Sequence, residues 1–292
     1  MDYLLQIVFL IAIYTVLAVS LDLLMGHTGL MSMAHAGFYS LGAYSSAIVT
    51  LYLGAPFFAG VFAGIIFAAL VSILVSAPSL RVREDYFVIA TFGFQMIIST
   101  VLKNWINVTG GQRGIAGIPT PSFFGRSIQS RAAFVILAVL FAIVSYTIVW
   151  LIAKNPYGRV LRAIREDEVF AQTLGKNTLR FKISVFAITA ALAASAGSLY
   201  AHYVTYIDPT SFTVLESILV ISMVIIGGAG SRWGPLIGAT TLVVLPEALR
   251  FVGFTESDQV AANIRQILYG VLLVLMMLAR PRGLLGKYNF GR

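Results

Sequence analysis

Seven Lys/Arg and the acids Glu166, Asp167 and Glu168 crowd into residues 154–182 of a chain that is otherwise almost wholly apolar. Cations and carboxylates spaced along a helix make charge-assisted contacts with a soluble partner. Set between two membrane-length apolar runs, this block reads as a polar handle on one membrane face. Arg159, Arg162, Arg165 and Glu168 are the expected polar contacts, and Leu161 and Leu174 the apolar anchor. Asn155 suits an N-cap and Pro156 the first helical position. Leu161, Ile164, Ala171 and Leu174 recur at roughly helical spacing and Gly175 suits a stop, so one helix is expected over 155–175. A solvated loop without a partner is the plainer reading of the same charges.

A second set of polar residues falls inside apolar runs, where each is a functional candidate by default. Asp22 lies near the end of the first run, His27 and His35 flank Ser32, and Glu216 and Glu247 sit in or beside late runs. His27 and His35 are eight residues apart with no nearby acid to complete a metal geometry, so neither a metal nor a cofactor is expected. Ser32, His35 and Gly37, with Thr91 and Gln95 from the fourth run, form the expected translocation surface, because polar groups at membrane depth must face protein or a water-filled cavity. Two glycine-rich regions, from Gly26 to Ala43 and from Gly227 to Ala239, occupy corresponding places in the two halves. Interrupted helices of an inverted pseudo-repeat explain them. Close helix packing, as at Gly60/Gly64 and Gly234/Gly238, is the plainer explanation.

The elements that must hold these residues follow from composition. Of 292 residues, 59% are hydrophobic and 11% charged, with a mean hydropathy of +0.89. Lipid can cover that much apolar surface; a soluble domain of this size cannot. The expected class is an all-α polytopic membrane protein forming one transmembrane domain over 1–292. About nine spans (range eight to ten) are expected, near 4–25, 30–53, 57–78, 86–105, 132–153, 181–203, 213–227, 235–252 and 261–279. Cysteine is absent, which removes disulfides and thiolate sites. The start Met1-Asp2-Tyr3 lacks a signal-peptide pattern, so the first run is expected to stay as a span. With 154–180 placed in the cytoplasm, fourteen of the twenty Lys/Arg fall on the inner face and the C-terminus is inside. The net charge of +8 is therefore read as membrane orientation and not as nucleic-acid binding.

Several stretches, in order, resemble the branched-chain amino-acid permeases of ABC importers, specifically the M-type subunit of the Liv system. They are Arg81-Val-Arg83 with Tyr86-Phe-Val-Ile-Ala-Thr91, Thr109-Gly-Gly111 with Gly114-Ile-Ala-Gly-Ile-Pro119, and Asn155-Pro-Tyr-Gly-Arg159 with Arg162-Ala-Ile-Arg-Glu-Asp-Glu168. Met223 through Pro235 and Pro281-Arg-Gly-Leu-Leu-Gly286 complete the series. Ser32-Met-Ala-His35-Ala is similar to the family's Ser-Leu-Gly-His-Ala run, whereas Gln95 stands where the family often has an acid. The resemblance implies that 154–180 is a cytoplasmic coupling loop in an inner-membrane importer of branched-chain or aliphatic amino acids. The partners it implies are an H-type permease, two ATPase subunits and a periplasmic or lipid-anchored binding protein.

The chain has no Gly-x-x-x-x-Gly-Lys-[Ser/Thr] loop, nucleophile elbow or His-Glu-x-x-His motif, so ATP hydrolysis is expected in a partner. The competing readings are a urea or amide ABC permease, a secondary transporter or channel with no ATPase, and an intramembrane enzyme using Asp22, His27 and His35.

Overall fold

A computed structural model describes residues 2–80, 84–123, 126–127, 130–251, 270–271, 274 and 283–285. The chain is an all-α polytopic membrane protein. Four long helices open it: α1 (Asp2–Thr28), α2 (His35–Tyr52), α3 (Phe57–Ser79) and α4 (Glu84–Asn104). The one-turn α5 (Ile106–Thr109) leads into three two-residue strands, β1 (Ile115–Ala116), β2 (Ser122–Phe123) and β3 (Arg126–Ser127). Then come α6 (Arg131–Lys154), α7 (Pro156–Glu166), α8 (Glu168–Thr173), α9 (Thr178–Val204), β4 (Tyr206–Ile207), α10 (Val214–Gly227) and α11 (Gly234–Phe251). Strands β2 and β3 form a small hairpin, while β1 pairs antiparallel with β4 through Ile115 and Ile207. That second pairing ties the loops together on the face opposite α7 and α8.

Eight of the nine expected spans have a helical counterpart; the run 261–279 falls largely outside the described residues. Among the described residues, six segments are long and apolar enough to cross a membrane. Helix α2 is not among them. Most of its residues are buried by neighbouring helices, so it needs little lipid-compatible surface. Helix α10 has 14 residues and reaches membrane length only together with the turn before it, as the segment Pro209–Gly227. At 1.5 Å per residue the helix alone spans roughly 21 Å, short of the ~30 Å hydrocarbon core.

Between apolar helices in lipid the hydrophobic effect supplies no net attraction, so association depends on close backbone approach. Helices α2, α3 and α9 meet this way. A methyl group on Gly42 would land on the Ala194 carbonyl, and one on Gly197 on the Tyr39 carbonyl. A Cβ on Gly64 would come within 3.1 Å of the Gly42 carbonyl oxygen. Packing therefore accounts for Gly42, Gly60 and Gly64, and also for Gly238, which faces the Met223 carbonyl across the α10–α11 hairpin.

The expectation of one helix over 155–175 is corrected: there are two. Asp167 is extended (φ −156°, ψ 105°), and its Oδ1 accepts a 2.9 Å hydrogen bond from Phe170 N. An aspartate in that geometry is an N-cap, so it ends α7 and starts α8. The predicted stop at Gly175 stands. Gly175 has φ +74°, and its N–H donates to Gln172 O while Lys176 N–H donates to Ala171 O, a Schellman ending.

Candidate functional site: two helix breaks and the α7–α8 pair

The break between α1 and α2 leaves the N-terminus of α2 far from water, and its free N–H groups need partners. Met33 N donates to Thr91 Oγ1 (3.1 Å), Ala34 N to Ser32 Oγ (3.2 Å) and Ala36 N to Ser217 Oγ of α10 (3.0 Å). Side-chain oxygens from three elements thus replace the missing helical carbonyls. His35 is buried and lies 3.0 Å from Ser20 Oγ through Nε2. Ser20 Oγ already donates to the Leu17 carbonyl at 2.8 Å, so the network assigns the proton to His35 Nε2. Its Nδ1 has no partner among the described residues.

Gln95, halfway along α4, donates from Nε2 to the Phe212 carbonyl at 2.9 Å. Its Oε1 faces Gly37, where a Cβ would approach to 2.7 Å. The structure therefore gathers Ser32, His35, Gly37, Thr91 and Gln95 into one cluster on α2, the connection before it and α4. All five are buried in packed protein. Ser217 and Ser20 belong to the same cluster and were not singled out from sequence, since a serine in an apolar run carries no signal of its tertiary partner.

The second break, between α10 and α11, meets the first. Asp22 Oδ1 accepts a 2.7 Å hydrogen bond from Gly230 N, and a Cβ on Gly26 would press against that same nitrogen and the Asp22 carboxylate. Two glycine-rich regions distant in sequence thus share one contact, held by the buried carboxylate of Asp22, which lies 208 residues from Gly230.

Helix α7 is bound to these breaks. The Arg165 guanidinium donates to the Gly26 carbonyl, and Arg162 Nη1 donates to the Ala153 carbonyl at 2.8 Å. These carbonyls belong to the last turns of α1 and α6, where four C=O groups lack helical partners and the helix dipole favours a cation. Leu161 and Ile164 are buried beneath the two arginines. Leu161 is buried, and Arg162 and Arg165 point into the chain. Glu168 likewise turns inward, accepting from Lys182 Nζ of α9 at 2.7 Å. Tyr157 shares a 2.5 Å hydrogen bond with Ser184 Oγ; burial raises its phenol pKa above the ordinary 10.0, with the serine contact opposing.

Helix α8 shows the opposite surface. Val169 (69%), Phe170 (60%) and Leu174 (61%) are exposed on a six-residue helix and its C-cap, with Arg159 and Gly175 exposed nearby. Of the seven residues expected at a partner contact, Arg159, Leu174 and Gly175 are exposed, while Leu161, Arg162, Arg165 and Glu168 bind the chain itself. Val169 and Phe170 were not singled out from sequence, because exposure of an apolar residue cannot be read from periodicity.

His202 on α9 was also missed. Its Nδ1 lies 2.8 Å from the Pro119 carbonyl, which can only accept, so Nδ1 carries the proton and Nε2 accepts from Ser46 Oγ at 2.9 Å. It pins α2 to the loop on the face opposite α7.

Among the described residues, apolar helices long enough to cross a membrane pack around two breaks that touch through Asp22 and Gly230, the architecture of a polytopic membrane protein. Residues 3–277 match the family described as "Branched-chain amino acid transport system / permease component", and the chain belongs to that family. It is 34% identical to the high-affinity branched-chain amino acid transport system permease protein LivM of Escherichia coli, over 94% of this chain and 68% of that protein. It is 24% identical to the probable LivM permease of Methanocaldococcus jannaschii, over 97% and 93% respectively. It is 28% identical to the LivH permease of Salmonella typhimurium, over 94% and 91%. No solved structure matches the chain.

Proposed function

We propose that this chain is the M-type translocating subunit of an ATP-driven importer of branched-chain amino acids in the inner membrane, with α7, α8 and the C-terminus in the cytoplasm. The 154–180 segment is its coupling loop within a single permease domain. Supporting this reading, its relatives carry that transport in their names, and α8 holds three large apolar side chains exposed on an otherwise polar face. A soluble partner covers such side chains; lipid cannot reach them if the charged residues around them lie in water.

In this reading α8, with Arg159, Leu174 and Gly175, docks on an ATPase subunit. Helix α7 carries the displacement inward through Arg165 to the end of α1, and Asp22 passes it to the α10–α11 break. The cluster of Ser32, His35, Gly37, Thr91 and Gln95 then re-forms as α2 and α4 shift, opening the passage. Likeness to both LivM and LivH supports a paired H-type permease, and an external binding protein would deliver substrate.

The test is uptake into vesicles holding this chain, its paired permease and two ATPase subunits, with the cognate binding protein outside. Leucine, isoleucine and valine should accumulate only with ATP inside. Uptake without ATP would instead identify a secondary transporter or channel, and preferential uptake of urea would reassign the substrate.

A further inference from the structure

Where α6 ends, two cations share one aromatic ring. Lys154 Nζ lies 5.1 Å and Arg232 Cζ 4.9 Å from the centre of the Trp150 ring, and Arg232 also lies 5.4 Å from Trp233. Neither cation forms an ion pair among the described residues. The ring faces attract both charges but neutralise neither. Tyr146 fixes the arrangement by donating to the Arg232 carbonyl at 3.1 Å and stacking on Trp233 at 5.5 Å.

Lys154, Trp150 and Arg232 border a cavity of about 210 Å³ between α1, α6 and the α10–α11 connection. His27 also borders it, with a buried Nδ1 that has no partner among the described residues. Asp22 borders it too, but its carboxylate is engaged by Gly230 N. The cavity thus offers two uncompensated cations and a spare imidazole nitrogen.

A second hollow, about 340 Å³, adjoins it through Tyr146 and runs between α1, α6 and α11. Its walls are almost wholly apolar, including Val8, Ile11, Val139, Ile143 and Leu236. Along α6, from Lys154 back to Val139, the two hollows extend roughly 22 Å at 1.5 Å per residue. That exceeds half of the ~30 Å hydrocarbon core. Basic pockets between membrane helices hold anionic headgroups, and Trp and Tyr concentrate at the same depth.

We propose that these two hollows, which share Tyr146 in their walls, bind one anionic phospholipid, with its phosphate between Lys154 and Arg232 and an acyl chain along Val139 and Ile143. The site depends only on the chain lying in a bilayer and is independent of substrate and of any ATPase.

The full chain in neutral detergent, titrated with phosphatidylglycerol and read by native mass spectrometry, tests this. Phosphatidylglycerol should bind more tightly than phosphatidylcholine. The double variant Lys154→Gln/Arg232→Gln should weaken phosphatidylglycerol by about tenfold or more. Ile143→Trp, which fills the apolar hollow and leaves both cations in place, should weaken it as well, and it decides the matter if the double variant does not fold. Arg159→Gln, an exposed cation elsewhere, should change nothing. Unchanged binding in the double variant, or equal binding of phosphatidylcholine, would overturn the headgroup assignment. Displacement of the lipid by an equal concentration of glycerol 3-phosphate would show a simple anion site.

Discussion

Helices α7 and α8 are neighbours in one polar stretch and have opposite surfaces. The cations of α7 cap the carbonyl ends of α1 and α6, and its leucine and isoleucine are buried in the same body. On α8 the large apolar residues Val169 and Phe170 stay outside, while its inward acid Glu168 binds Lys182. The boundary is a single residue, Asp167, whose side chain caps α8 and turns the chain by a step into extended backbone. A run of charge on a membrane protein is therefore not a uniform docking face. In this chain its first half grips the permease, and its second half is free to grip something else.

The sharpest way to break that contrast is to add charge to the exposed apolar face. Phe170→Asp with Leu174→Asp should weaken ATPase association by about a thousandfold if each is worth the ~2 kcal/mol of a hot spot. The permease should still insert and melt as before, read by copurification and by a thermal melt. Equal effects on insertion would show that α8 packs against its own chain.

Arg165→Glu attacks the other half. It removes the donor to the Gly26 carbonyl and places a carboxylate at the C-terminal end of α1, where the dipole disfavours it. ATPase association should persist while uptake falls by about 5- to 150-fold, the usual range of a coupling free energy. Loss of ATPase binding in this variant would instead mean that Arg165 belongs to the docking face.

Glu168→Gln should act on stability more than on docking. The Lys182 side chain is 5% exposed, and losing the charged acceptor should lower stability by about 1–3 kcal/mol. A fall in melting temperature with little change in ATPase affinity is the expected pattern. Arg159→Gln should do least, reducing association by about fivefold or less, as exposed ion pairs are worth no more than about 1 kcal/mol.

The sequence made much of this architecture legible. Apolar run length located the helices, Pro156 the start of α7 and Gly175 the end of α8, because each depends on local backbone chemistry. Helical spacing also showed that Leu161 and Ile164 share a face, but it could not say whether that face meets a partner or the chain itself. The break at Asp167 was missed because the apolar pattern continues across it. The pairing of Asp22 with Gly230, and of His35 with Ser20, depends on which helices become neighbours, and no local period records that. The five residues read as a translocation surface lie near one another and are buried, and the hydrogen bonds that anchor them run to residues outside the five.

The contrast between α7 and α8 is most directly measured by cross-linking, since the chain has no cysteine of its own. A single cysteine at Phe170, in membranes holding the assembled transporter, should cross-link to the ATPase subunit from the cytoplasmic side, and one at Leu161 should not. Cross-linking from Leu161 with none from Phe170, or labelling of position 170 only from the external side, would contradict the account.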